Sequence, residues 1–412
     1  MIMRFIKNQT NTTPIVDGVF TIVQKAKDAK EIVGKENVID ATIGSLYNEQ
    51  GTIVAFDSVF TPYQNIQKEI LAKYAESFQG NPDFRKQVYH WVIEPSNCHL
   101  AHRVIATPGG TGAVNMTIIE ILDEGQTIVL PEIAWGSYQL MATMHNLNIQ
   151  TYHLFEDQHF NLAHFKQTCL DVLDKQDKLL VVINDPCHNP TGYSLDKQEW
   201  QEIVHFLNTC AQDKPVILLN DIAYIDYSYD LTHNHDYMDT FNQFNENVAV
   251  IVAFSCSKTL TSYGLRCGAA IILSQREEIV RQIEIVFEKT ARATWSNIPN
   301  GAMENFTYVT TKNLSAYLKE KDYYIDLLNK RSSIFLAEAR HVNLETYPYK
   351  EGFFITLKMP NNTIRDIFHE KLMANHIYTI KVNLGIRVGI CSLPLHQCPG
   401  LAKKMKDILD NI

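Results

Sequence analysis

No C-x-x-C pair occurs among the eight cysteines of this 412-residue chain, which lie at Cys98, Cys169, Cys187, Cys210, Cys256, Cys267, Cys391 and Cys398. That scatter excludes zinc-ribbon spacing and argues against the disulfide framework of a small secreted domain. Long apolar runs are also lacking. The longest, Val248 to Phe254, has seven residues, far short of the roughly 20 that span a bilayer. The opening MIMRFIKNQTNTT has no apolar stretch of the kind a signal peptide needs. Excess positive charge is missing too. Against 46 Asp and Glu stand 37 Lys and Arg, a formal net charge of −9, so neither nucleic acid nor an anionic membrane is an expected partner. The fifteen histidines show no metal-ligand spacing; His188 is placed near the site described below and the others at the surface. No metal is expected, and a reducing compartment, the cytoplasm, fits best.

What is present is an ordinary globular balance, 45% hydrophobic and 20% charged, in a chain longer than one core usually serves. From about Arg103 to Leu273, apolar β-rich runs alternate with helical patterns. The spacing predicts strands at Thr127–Leu130, Leu179–Asn184, Val216–Asn220, Ala249–Phe254 and Gly268–Leu273. Helices are predicted near Ala113–Leu122, Lys197–Asn208 and Arg276–Lys289. Strands apolar throughout, alternating with helices, read as a mostly parallel α/β sheet covered on both faces. Beyond residue 313 the texture changes to a long charged helix, Asn313–Arg340, and short strands at Phe353–Leu357 and Ile386–Cys391. The division expected is a large domain, residues 48–313, and a smaller α+β domain built from 1–47 and 314–412.

The chemistry gathers at strand ends. Asp185-Pro-Cys-His-Asn-Pro-Thr-Gly192 follows one apolar strand; Asn-Pro-Thr-Gly alone is turn chemistry, but open α/β sheets bind ligands at the carboxyl ends of their strands. The next strand ends in Asp221-Ile-Ala-Tyr224, and the one after in Ser255-Cys-Ser-Lys258, with Arg266 eight residues on. A lone lysine there would be a solvated loop residue, whereas polar groups repeated at successive strand ends form a site. Upstream, Thr107-Pro-Gly-Gly-Thr-Gly-Ala113 feeds a helix near Ala113 and offers free N–H groups to an anion. It is neither a Walker A sequence nor a dinucleotide fingerprint.

With Trp135, Arg292 and Arg387, these motifs occur in the order found in class I aminotransferases of the aspartate and aromatic type, which the chain resembles over nearly its whole length. The resemblance implies the fold-type-I architecture and pyridoxal 5′-phosphate (PLP) as cofactor. It makes Lys258 the lysine that bonds the cofactor and shuttles the substrate proton. Asp221 would face the pyridine nitrogen, Tyr224 and Asn189 would donate to the ring oxygen, and Trp135 would stack on the ring. Gly110, Thr111, Ser255, Ser257 and Arg266 would hold the phosphate. Arg387 would bind the substrate α-carboxylate beside Gly44. Arg292 would reach a distal carboxylate in the neighbouring subunit of a homodimer.

Two departures stand out. Where the family often places a phosphate-binding tyrosine before a Gly-x-x-x-Phe/Leu-Arg segment, this chain has Tyr74 out of register and Phe78 ahead of Gly80–Arg85. Ile298 also replaces a more usual proline. The activity expected is transfer of an amino group between a dicarboxylic or aromatic amino acid and a 2-oxo acid such as 2-oxoglutarate. The alternative is a PLP-dependent lyase or decarboxylase on the same fold.

Overall fold

The computed structural model describes residues 5–6, 12–14 and 18–412; most of the opening segment lies outside them. Its centre is a seven-stranded sheet. In chain order its strands are β1 (Ala101–Thr107), β2 (Thr127–Pro131), β3 (Asn148–Tyr152), β4 (Leu179–Asn184), β5 (Val216–Asp221), β6 (Val248–Ser255) and β7 (Gly268–Ser274). The spatial order is β1-β7-β6-β5-β4-β2-β3. Every pairing that excludes β7 is parallel, and β7 runs antiparallel to both its neighbours.

Burial on two faces explains the unbroken apolar strands. In β4, Leu179, Val181 and Ile183 enter one hydrophobic cluster while Leu180 and Val182 enter the other. β5 and β6 alternate the same way, Leu218 and Val250 on one side against Leu219 and Ile251 on the other. Each such side chain contributes roughly 1.5–3 kcal/mol when fully buried. Register then aligns Asn184 with Asp221, and Asp221 with Ala253. The loops that follow β4, β5 and β6 therefore leave the sheet side by side.

Helices cover the sheet. α1 (Gly18–Val33) lies against the smaller unit, and α2 (Gly109–Ile121) leads away from β1. α2 starts four residues before the Ala113 expected from the sequence, because Pro108 and the glycines are the helix entry rather than a turn ahead of it. Gly109 takes a φ of 71°, open to glycine at no steric cost. Next come α3 (Ser137–Met144) and α4 (Lys197–Cys210). α4 begins with a reciprocal capping box between Asp196 and Glu199, and its Trp200 donates to the Asp185 carboxylate at 2.9 Å, tying the helix to the loop after β4. α5 (Glu277–Thr294) follows β7, and the long α6 (Leu314–His341) ends the large unit.

The smaller unit holds a three-stranded antiparallel sheet of β8 (Phe354–Lys358), β9 (Ile380–Val382) and β10 (Gly385–Gly389). Ile39–Asp40 pairs with Ile377–Tyr378, which brings the described part of the N-terminal segment into this unit. The 313/314 division falls at the start of a helix that serves both cores. Tyr317 and Leu328 of α6 enter the larger cluster, and Phe335 and Ala339 enter the smaller. The histidine assignment needs correction: His235 and His369 are buried, their ring nitrogens bonded to the Val92 and Thr379 carbonyls at 2.8 and 2.9 Å.

At the start of β7, a Cβ on Gly268 would lie 2.5 Å from the Phe254 carbonyl oxygen and 2.6 Å from the Gly109 carbonyl carbon. Both are backbone atoms with little freedom to yield. Gly268→Ala should therefore cost about 1–3 kcal/mol of overpacking. Gly264→Ala, where nothing lies within 4 Å, should stay within about 0.5 kcal/mol of the parent. Equal denaturation midpoints for the two variants would refute the tight approach of β7 to the α2 entry.

Candidate active site

A cavity of about 490 Å³ opens at the carboxyl ends of β4, β5 and β6. Of the thirteen residues singled out in the sequence, every one except Arg292 lines it. The loops deliver Asn189, Asp221 with Tyr224, and Lys258 from adjacent strands, as the parallel register requires.

Lys258 sits on a single helical turn, Cys256–Thr259, capped by Ser255. Its Nζ donates to the Gly44 carbonyl and lies 4.7 Å above the Tyr263 ring and 5.5 Å above that of Tyr224. Removal from water lowers its pKa to about 8; Cys391 opposes this shift, and Arg387 and Arg266 add to it. The amine is therefore within reach of its neutral, nucleophilic form near neutral pH.

Asp221 is buried, and its two oxygens accept from the Tyr138 hydroxyl at 2.6 Å and the Ala223 N–H at 3.1 Å. Burial raises its pKa while these two donors pull it back. Among the described residues it has no ion-pair partner. The sequence reading missed Tyr138, although its place three residues after Trp135 could have raised it: the two rings meet edge to face at 5.3 Å.

An anion cradle forms where α2 begins. The N–H groups of a first helical turn have no intrahelical acceptor, and this turn contains Gly110 and Thr111. Arg266 faces the same place. It donates to Ser257 Oγ at 3.0 Å and to the Tyr263 carbonyl at 2.8 Å, and a Cβ on Gly109 would lie 2.7 Å from its Nη2. Ser255 is packed beside Gly110.

Arg387, on β10, is buried. Its Nη1 donates to Asn189 Oδ1 at 3.3 Å and its Nη2 to the Thr42 carbonyl at 2.9 Å, and its Nε has no acceptor among the described residues. The guanidinium covers the Phe354 ring at 4.2 Å. Burial lowers its pKa, the mark of a cation with neutral acceptors only. Asn189 is fixed in turn, its N–H bonded to Asn184 Oδ1 at 2.7 Å.

Two assignments fall elsewhere. His188 faces a separate small void beside Tyr152 and Tyr193; burial drops its pKa to about 3, so it stays neutral there. Arg292 is exposed at the end of α5, bonded to Ser296 Oγ at 2.7 Å and lying 4.7 Å over Phe78. Within one chain it does not reach the cavity. Tyr74 is 82% exposed.

Comparison with known proteins agrees with this geometry. A family model described as aminotransferase class I and II matches residues 37–403. The crystal structure of an aminotransferase from Anaerococcus prevotii is similar at 32% identity, with a TM-score of 0.95 over 99% of this chain and 100% of that one. An aromatic-amino-acid aminotransferase from Paracoccus denitrificans is 24% identical over 68% of this chain and 71% of its own length. An aspartate aminotransferase from Pseudomonas aeruginosa is 25% identical over 63% and 65%. Among the described residues no helix is long and apolar enough to cross a membrane, and no cluster of metal-binding side chains occurs.

The lowered amine pKa gives a test. In ligand-free protein, the rate of reductive methylation of Lys258 should rise with pH to a midpoint near 8, because only the neutral amine reacts. Ordinary lysines should titrate above about 10. Residue-resolved labelling that placed Lys258 with the ordinary lysines would show that the cavity does not depress it.

Proposed function

The chain belongs to the class I and II aminotransferase family, and from that premise we propose that it moves an amino group from a dicarboxylic or aromatic amino acid to a 2-oxo acid such as 2-oxoglutarate. The observation that carries the reading is the meeting, in one cavity, of a depressed-pKa lysine, a buried carboxyl, an anion cradle and a buried arginine with a spare donor. Aminotransferases of this class use PLP. The residues present fit it: Asp221 lacks a countercharge, the α2 entry with Arg266 suits a phosphate, and Lys258 is poised as a nucleophile.

When bound, PLP supplies a ring system that accepts the electrons left at the substrate Cα. The chain does the rest. Lys258 Nζ takes the proton from the substrate Cα as general base, which its lowered pKa permits near neutrality. Asp221, oriented by Tyr138, would keep the pyridine nitrogen protonated. Tyr224 and Asn189 would donate to the ring oxygen, and Trp135 would cover the ring and exclude water. Gly110, Thr111, Ser255, Ser257 and Arg266 would hold the phosphate. Arg387 would bind the α-carboxylate as a charged fork, with its free Nε as the additional donor. Gly44, whose carbonyl already holds Lys258, brings the N-terminal segment to the substrate.

A count of charges supports a homodimer with Arg292 serving the partner's cavity. The cations lining the cavity are Lys258, Arg266 and Arg387, and each has a role above. Among the described residues none of these is left for a distal carboxylate. Residues 1–47 and 314–412 would move together against 48–313 and close on a bound carboxylate. A lyase or decarboxylase has no support among the relatives.

Lys258→Ala should bind PLP through the cradle yet lose nearly all turnover. In the parent protein, borohydride should fix the cofactor on Lys258, and peptide mapping to another lysine would end this assignment. Arg292→Leu tests substrate class. Stranding a buried distal carboxylate costs roughly 3–5 kcal/mol, so kcat/KM for aspartate should fall by about two to three and a half orders of magnitude. Phenylalanine should lose far less, and equal losses on both donors would make Arg292 structural.

A further inference from the structure

Behind the Lys258 turn, on neither cavity wall, lies a buried ion pair. Lys321 Nζ of α6 meets Asp226 Oδ1 at 3.0 Å, and both side chains are 3% exposed. Such a pair is costly to desolvate, and well-packed apolar residues would often stabilise a fold as well or better. What distinguishes this one is the other bonds made by the same groups. Asp226 Oδ2 accepts the hydroxyl of Thr259 at 2.7 Å and the indole N–H of Trp91 at 3.2 Å. Lys321 Nζ also lies over the Trp91 and Tyr317 rings, at 5.3 and 5.4 Å.

Thr259 follows Lys258 directly, and it is held at both ends. While Asp226 takes its hydroxyl, the Tyr317 hydroxyl donates to its carbonyl at 2.7 Å. One residue earlier, the Tyr227 hydroxyl donates to the Lys258 carbonyl at 3.1 Å. The helical turn involved, Cys256–Thr259, has only four residues, and a single turn is not stable by itself. Its orientation is set by these outside contacts. Asp226 stands two residues after Tyr224 and within the short turn Ile225–Tyr227, so its bond to Thr259 ties that turn to the one that carries Lys258.

We propose that Asp226 and Lys321 are positioning residues for Lys258, acting through Thr259, and that the pair is kept for this geometry rather than for stability. Lys321 leaves Asp226 ionised, and an ionised carboxylate only accepts, so the three donors around it have one arrangement. Without Lys321, burial favours the protonated carboxyl, a weaker acceptor for the Thr259 and Trp91 donors that meet at Oδ2. The inference rests on Lys258 being the reactive lysine, a reading that Lys258→Ala tests separately.

Three variants of the full chain with PLP decide it. Thr259→Val removes the link and leaves the ion pair. Lys321→Met removes the cation. Lys321→Met with Asp226→Asn restores neutrality and keeps an acceptor for Thr259. Misplacing a reacting group by about 1 Å can cost roughly 100-fold, so kcat for Thr259→Val should fall by roughly 10-fold or more while KM for both substrates changes little. Lys321→Met should fall further, and the double variant should recover part of that loss. The pH at which the visible absorption of the bound cofactor changes should also move in Thr259→Val. The groups facing Lys258, namely Arg266, Arg387, Cys391, Tyr224 and Tyr263, are unaltered there, so the movement reports displacement of the lysine. In cofactor-free protein, amide hydrogen exchange over residues 256–260 should quicken in Thr259→Val.

Should Lys321→Met not fold, Thr259→Val alone settles the matter. Parental kcat, absorption midpoint and exchange in Thr259→Val would overturn the proposal. So would losses in all three variants that merely follow their melting temperatures.

Discussion

Three cations share one cavity wall. Lys258, Arg266 and Arg387 line the same space; burial lowers the pKa of Lys258 and of Arg387, and at Lys258 the two arginines add to the shift. The chain could relieve this with carboxylates and does not. Lys258 rests on the Gly44 carbonyl, Arg387 on the Thr42 carbonyl and the Asn189 amide oxygen, and Arg266 on Ser257 and two further carbonyls. The one carboxyl in the wall, Asp221, is held by a phenol and an amide N–H. Each charge is oriented by neutral partners and left electrostatically unspent. A ligand carrying a phosphate, a carboxylate and a protonatable ring nitrogen would meet all of them at once. Interactions completed only with a ligand bound are the ones that can favour a transition state.

This arrangement also explains what the sequence made legible. Strands β4, β5 and β6 are buried on both faces, so their apolar runs stand out, and their shared direction puts the residues that follow them in one place. Asn189, Asp221, Tyr224 and Lys258 lie within five residues of a strand end, which made short motifs sufficient. β1 and β3 were not recognised, because Arg103 and Gln150 interrupt the pattern at partly exposed positions of the two edge strands. The entry to α2 was misjudged because a positive-φ glycine after a proline reads as a turn until the helix behind it is seen. Tyr138, Trp91 and Lys321 stayed hidden for another reason. Their partners Asp221 and Asp226 are distant in sequence, and no local periodicity encodes such bonds.

The long helix α6 joins these levels. Its first half carries Tyr317 and Lys321 beneath the Lys258 turn, and its second half carries Phe335 and Ala339 into the smaller core. Arg331, fully buried midway, donates to Cys391 and Tyr47 carbonyls and pairs with Glu49 at 2.5 Å. Those residues follow β10 and the Gly44 segment. One helix therefore touches the base of the Lys258 turn and both stretches of chain that bring Gly44 and Arg387 to the cavity. A shift of the smaller unit cannot occur without either bending α6 or moving what rests on it.

Substrate choice then follows from what the cavity wall lacks. Toward α1 the wall consists of Val19, Phe20, Val23 and Ile43, which suits an apolar or aromatic side chain and offers nothing to a carboxylate. The adjoining cavity adds Arg365 and Lys381, but both are paired with Asp366, at 2.8 and 3.0 Å. An aromatic donor can be served by one chain. A dicarboxylic donor would place a charge against an apolar wall, which costs several kcal/mol without a partner. Among the described residues no unpaired cation of this chain stands at that wall to remove the cost. The exposed Arg292, loosely held by Ser296 and Phe78, is free of any carboxylate among the described residues. On the proposed reading, accepting both donor classes would require a site shared between two subunits, because the second charge would then be supplied without burying a fourth cation in the first.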